Sequence, residues 1–219
     1  ASRYYEDALK RYDARDDAGA IIQLKNALKE DARMLPALVL LGQAHLRKGE
    51  PAAAERVLAD AERLGAARAQ IAVYQARAYL DQGKYRALIE KFGADGLPPQ
   101  ARLDMLLLRA RAQIALSQYD GAMTSAKLAE QVKAQIHLNA GRPQDARATV
   151  RRALQLLPND GDALNVLASI AHAQGDLPTA ARDYGRAIEA QPYNIEARLA
   201  RAAIQFDLGR DADAWTDID

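Results

Sequence analysis

Five glycines, Gly49, Gly83, Gly141, Gly175 and Gly209, punctuate the chain; the first two are 34 residues apart, and so are neighbours among the last three. Each sits in a similar phrase: "LRKGEPAAAERVL", "LDQGKYRALIEKF", "LNAGRPQDARATV", "HAQGDLPTAARDY" and "DLGRDADAW". Glycine adopts the left-handed conformation after a helix end at little cost, so the period is one of helix endings. Arg15 and Ser117 occupy the equivalent sites of two further units, making seven. Every step is 34 residues except that from Ser117 to Gly141, which is 24. Such a period implies stacked small units, none able to bury its apolar face alone.

Small residues recur in the same register. On the first helix of each unit they are Ala8, Gly42, Ala76, Ala110, Ala134, Ala168 and Ala202, and on the second Ala20, Ala54, Ala122, Ala146, Ala180 and Ala214, with Leu88 departing. A third series is Ala27, Ala61, Ala129, Ala153 and Ala187, with Asp95 departing. Alanine dominates the 219 residues, and Gly (13) and Pro (8) are few, a composition that favours helices over strands. A 34-residue helix-turn-helix unit with these small positions resembles the tetratricopeptide repeat (TPR). The resemblance implies an all-α fold, a right-handed TPR superhelix (α-solenoid) of about seven units, near 1–34, 35–68, 69–102, 103–130, 131–160, 161–194 and 195–219.

Two places depart from the pattern. In "KFGADGLPPQAR", Gly93, Gly96, Pro98 and Pro99 shorten the second helix of the third unit into a loop, either a longer connection or a segment folding over the groove. Between Glu130 and Gln131 the register is ten positions short, the length of an inter-repeat turn and one helical turn. The favoured expectation is a loop of about ten residues missing from this numbering, because a fused helix would leave apolar faces without neighbours. The alternative is a real fused helix that splits the solenoid or exchanges halves with a second chain. The last unit, ending in "AWTDID", reads as incomplete, as in a piece of a longer array.

A net charge of +1 gives no general field for a phosphate backbone, so nucleic acid is not an expected partner. No apolar run approaches the roughly 20 residues of a membrane span. Zero cysteines exclude disulfides and thiolate sites. There is no phosphate loop, HExxH, nucleophile elbow or metal-ligand cluster, so no catalysis, cofactor or metal is expected. His45 and His137 share one packing position and are expected to be part-buried and hydrogen-bonded, with His172 one position nearer the inner surface. First-helix residues expected on the concave face are Gln43, Tyr74, Arg77, Asp81, Arg111, Gln135, Asn165, Ser169 and His172. Arg77 and Arg111 are equivalent in successive units and would suit a protein or extended peptide, including an acidic segment, through bidentate bonds to carboxylates. The repeat family's clamp for a C-terminal carboxylate needs Lys and Asn where this chain has Tyr5, Leu9 and Leu40, which disfavours a chaperone-tail adaptor.

The phrases "AIIQLKNAL" and "LPALVLLGQAHLRKGEPAAAE" resemble the opening of the TPR lipoproteins of PEP-CTERM protein-sorting and exopolysaccharide systems of Gram-negative bacteria. That resemblance implies a non-catalytic scaffold in the periplasm or at the outer membrane, lipid-anchored through a cysteine upstream of Ala1. No lipobox cysteine is present in the chain. The other readings are a cytoplasmic peptide-binding adaptor and a substrate-recruiting region of a larger enzyme.

Overall fold

The computed structural model describes residues 1–218 and, within them, every side chain but that of Leu156. The described residues form thirteen α-helices and no strand. They are α1 (Ser2–Asp13), α2 (Asp17–Glu30), α3 (Leu35–Arg47), α4 (Pro51–Arg63), α5 (Arg68–Asp81), α6 (Tyr85–Lys91), α7 (Pro99–Ala115), α8 (Tyr119–Asn139), α9 (Pro143–Leu156), α10 (Gly161–Ala173), α11 (Leu177–Ala190), α12 (Ile195–Asp207) and α13 (Asp211–Ile218). The chain divides into two compact units, Ala1–Ser125 and Ala126–Asp219.

The helix endings follow the period. Gly49, Gly83, Gly141, Gly175 and Gly209 all have positive φ, and so do Arg15 (63°) and Ser117 (58°), the two sites where the pattern lacks glycine. A non-glycine residue there is strained, so its recurrence in register shows that helix packing dictates the turn. Asp16, Asp160, Asp176 and Asn194 cap the next helices, each accepting from backbone N–H groups one turn in. Pro36, Pro51, Pro99, Pro143 and Pro178 stand in first turns, where no N–H partner is lost.

In the first unit each helix packs on its sequence neighbours, and α3 with α5, and α5 with α7, bring successive first helices side by side. The small positions are the contact points: Ala8, Ala20, Ala27, Ala54, Ala61 and Ala76 are fully buried. At Gly42 a Cβ would lie 2.6 Å from Cγ of Leu58, itself fully buried, so no larger residue fits without moving the core. Leu88 fills the second-helix position that lacks alanine, on the seven-residue α6. Arginines from the flanking helices hold the loop after α6. Arg68 donates to the carbonyls of Asp95 (2.8 Å) and Gly93 (2.7 Å), and Arg109 to those of Ile89 (2.7 Å) and Phe92 (2.6 Å).

Where the register is ten positions short, α8 runs for 21 residues with no turn at Glu130 and Gln131. Its part within the second unit, Ala126–Asn139, is as long as α5 and serves as a complete first helix. Ala134, Ala146, Val150, Ala163 and Ile170 form its core with α9 and α10. Lys127 Nζ reaches the carboxylates of Asp160 (3.1 Å) and Asp162 (3.0 Å) at the start of α10. A second core joins α10, α11 and α12 through Leu164, Tyr184, Ile188 and Ile204.

Candidate functional site

Because successive first helices lie side by side in the first unit, each register position becomes a ladder across them. Tyr5, Val39 and Val73 form one such ladder, Leu40 and Tyr74 a second, and Pro36, Gln70 and Asp104 a third. Together with Leu35, Ala69, Ala101, Gln43, Gln100 and Pro98 they line an open groove of about 840 Å³. Its floor is apolar and its polar groups are amides, phenols and one carboxylate. Such a lining can seat apolar side chains while amide groups meet a peptide backbone.

The polar groups are partly committed. Tyr12 Oη donates to Gln43 Oε1 at 3.5 Å, and Gln100 Nε2 donates to Asp104 at 3.1 Å. Burial, with smaller contributions from Tyr12 and Asp104, pushes the Tyr74 phenol above its usual pKa, so it remains a hydrogen-bond donor at neutral pH. Asp104 is the only charged residue among those lining the groove.

Of the residues expected on the concave face, Gln43 and Tyr74 line this groove. Arg77 and Arg111 are exposed and do not, and Arg77 Nε is held by Asp81 at 2.8 and 2.9 Å. The other four lie in the second unit. Gln135 is exposed and donates to Asn139 (2.9 Å), and Ser169 turns its hydroxyl to the carbonyl of Val166 (2.8 Å). Asn165 is half-buried with its Oδ1 unpartnered, and His172 is exposed. His45 behaves as expected, buried with Nδ1 2.7 Å from Glu50. His137 corrects the expectation in part: it is half-buried, but its Nδ1 has no hydrogen-bond partner, Asp145 being 4.0 Å away.

Choosing polar first-helix residues passed over the apolar ladder that forms the groove's floor. The available signal was the 34-residue spacing of Tyr5, Val39 and Val73, one position before Tyr74 in the register. Among the described residues no group of His, Cys, Asp and Glu could hold a metal ion, and no helix is long and apolar enough to cross a membrane.

The tetratricopeptide-repeat profile matches residues 39–87 and 132–195. No curated protein matches the chain. Among solved structures, a tetratricopeptide repeat protein from Parabacteroides merdae is similar at 17% identity over 99% of this chain and 77% of its own, with a TM-score of 0.40. PilW, a type IV pilus biogenesis factor, is similar at 16% identity over 99% of this chain and 89% of its own, TM-score 0.41. YrrB, described as having an unusual peptide-binding site, is 14% identical over 90% of this chain and 89% of its own, TM-score 0.40. With the repeat profile covering more than half of its length, the chain belongs to the tetratricopeptide-repeat family.

Proposed function

We propose that this protein is a non-catalytic interaction module whose first unit holds an extended peptide segment of a partner protein. The observation that carries this reading is the groove itself: one apolar ladder, Tyr5, Val39 and Val73, flanked by Gln43, Gln70 and Gln100. Successive side chains of an extended segment would occupy the ladder, and its backbone groups would meet the amides. The Asp104 carboxylate, with no cation beside it in the lining, favours a neutral or basic segment. An acidic segment would instead depend on Arg111, since Arg77 is engaged by Asp81. Fluorescence anisotropy with two apolar peptides that differ only in flanking Lys or Glu tests this. Tighter binding of the Lys peptide, lost in Val73→Asp, is the expected result, and equal binding by wild type and Val73→Asp removes the groove from the account.

The setting is proposed from the likeness of the first two repeats to the PEP-CTERM system lipoproteins: a scaffold in the Gram-negative envelope, anchored by lipid upstream, serving protein sorting or exopolysaccharide export. Fractionation of the native protein tests it. Recovery in the soluble cytoplasm favours an adaptor there, and further repeats beyond Asp219, without a catalytic domain, remove the enzyme-recruiting reading.

A further inference from the structure

A segment lying across the first-unit groove meets its rungs at the spacing of the helices beneath. α3 packs beside α5, and α5 beside α7, so Val39 and Val73 stand on neighbouring helices at one register position, and Pro36, Gln70 and Asp104 at another. Helices packed side by side lie about 8–10 Å apart. A β-strand presents the same side every second residue, about 6.7 Å along, and falls short of the next rung. A polyproline II segment advances about 3.1 Å per residue with three residues per turn, so every third side chain returns after about 9.3 Å. Of these two extended conformations, the second sets one side chain on each helix.

The polar groups of the lining sort the same way. Tyr5 and Tyr74 bring phenolic donors, and Gln43, whose Oε1 accepts from Tyr12, keeps its N–H groups for the groove. Proline has no N–H and offers only a carbonyl, so a proline-rich segment uses these donors and leaves no donor of its own unmet. Tyrosine rings beside Pro36 and Pro98 are the kind of wall on which such segments dock. Charge distinguishes the two ends. α7 starts at Pro99, about one turn earlier in register than α3 and α5, and this extra turn brings Gln100 and Ala101 into the lining beside Asp104. The carboxylate therefore stands at the α7 end, away from Tyr5 on α1.

We infer that the occupant is a proline-rich segment in the polyproline II conformation, with apolar residues three apart on the α3 and α5 rungs and an arginine or lysine three residues further, at Asp104. Its carbonyls accept from the phenols and amides, and its basic end pairs with the carboxylate. Such a segment is already ordered before it binds, which lowers the entropy lost on docking. The assignment rests on the peptide reading of the same groove and narrows the partner to one chemistry.

Fluorescence anisotropy with two labelled peptides of equal length and charge tests this. One has arginine at each end and proline at every third position, with proline or alanine between; the other has the same ends and valine at alternate positions. The proline peptide should bind about tenfold tighter, and Asp104→Asn should weaken it about tenfold while leaving a glutamine-ended version unchanged. Asp104→Asn keeps the size of a half-buried side chain, and an unchanged helical circular dichroism spectrum confirms that it folds. Equal or tighter binding of the valine peptide, lost in Val73→Asp, overturns the polyproline II occupant and leaves the peptide groove standing. Loss of affinity for both arginine-ended and glutamine-ended peptides in Asp104→Asn, or for neither, overturns the placement of the basic end. Binding of neither peptide to the wild type, or of both to Val73→Asp as to the wild type, overturns the groove and this occupant together.

Discussion

The two compact units use one repeat and line it differently. At a single register position the first unit has Tyr5, Val39, Val73 and Leu107, and the second has Gln131, Asn165 and Leu199. Buried polar groups differ in the same sense. In the first unit they are His45, Gln75, Gln113 and Ser125, while the second buries Asp160, Asp183 and Asp217 besides Thr149. Gln75 donates to the Glu62 carboxylate at 2.9 Å, His45 Nδ1 lies 2.7 Å from that of Glu50, and Ser125 Oγ is 2.8 Å from Gln113, so none of the four is itself a carboxylate. The carboxylates instead take cations: Lys127 for Asp160, Arg182 and Arg186 for Asp183, and Arg201 for Asp217. The small-residue contacts leave the remaining positions free to differ: an apolar groove lines the first unit, and buried carboxylates take cations in the second.

Destabilising each unit by its own chemistry should open one without the other, with hydrogen exchange reporting which unit opens. Leu58→Ala empties the fully buried site against Gly42 and should cost about 4 kcal/mol. The faster exchange should be confined to Ala1–Ser125, and equal acceleration in Ala126–Asp219 would break the division. Arg201→Met leaves the Asp217 carboxylate, 2% exposed, without its cation, and a loss of about 3 kcal/mol in the docking of α13 is expected. A denaturation midpoint unchanged in that variant would count against ionic ties in the second unit.

Lys127→Met should cost less, about 2 kcal/mol, because Asp160 retains its bonds from the N–H groups of Asp162 and Ala163. Burial raises the Asp162 pKa, but hydrogen bonds from Lys127 and Gln191 outweigh it and hold the value below the usual carboxylate range. A lowered folded-state pKa makes this contribution complete above the unfolded-state value, with loss as pH falls through the folded one. In Lys127→Met, carboxyl NMR should show Asp162 titrating at higher pH, and an unchanged titration would reject the pairing. Gly42→Ala has the smallest expected effect, about 1.5 kcal/mol, as Leu58 shifts to admit the Cβ. A neutral result by urea melt would mean that this crossing is looser than the Ala crossings.

The repeat was legible because its signals are backbone constraints. A left-handed turn forces a choice of residue or accepts strain, and Arg15 and Ser117 accept it at the predicted sites. Close helix crossings force Ala or Gly, and those positions are buried. The groove was half legible: Gln43 and Tyr74 line it, but Val39 and Val73 carry the same apolar pattern as core residues, and only side-by-side first helices reveal them as a floor. Arg77 and Arg111 are a matched pair by register alone, and Asp81, one turn along α5, engages Arg77. The ten-position shortfall was visible as a number, while its consequence depends on α8 being one helix. Intact mass bears on that point directly: 23.9 kDa is the value for a chain with Glu130 bonded to Gln131, and an excess of ten residues would restore the turn that the period predicts.

If the apolar ladder of the first unit holds an extended peptide, selection of a random peptide display library on the intact protein reveals its sequence preference. Against wild type, the account predicts enrichment of segments with regularly spaced apolar residues and few acidic residues, and failure of the same segments to bind a Val39→Asp, Val73→Asp variant. Enrichment of acidic segments, or of the same sequences on both proteins, would contradict it.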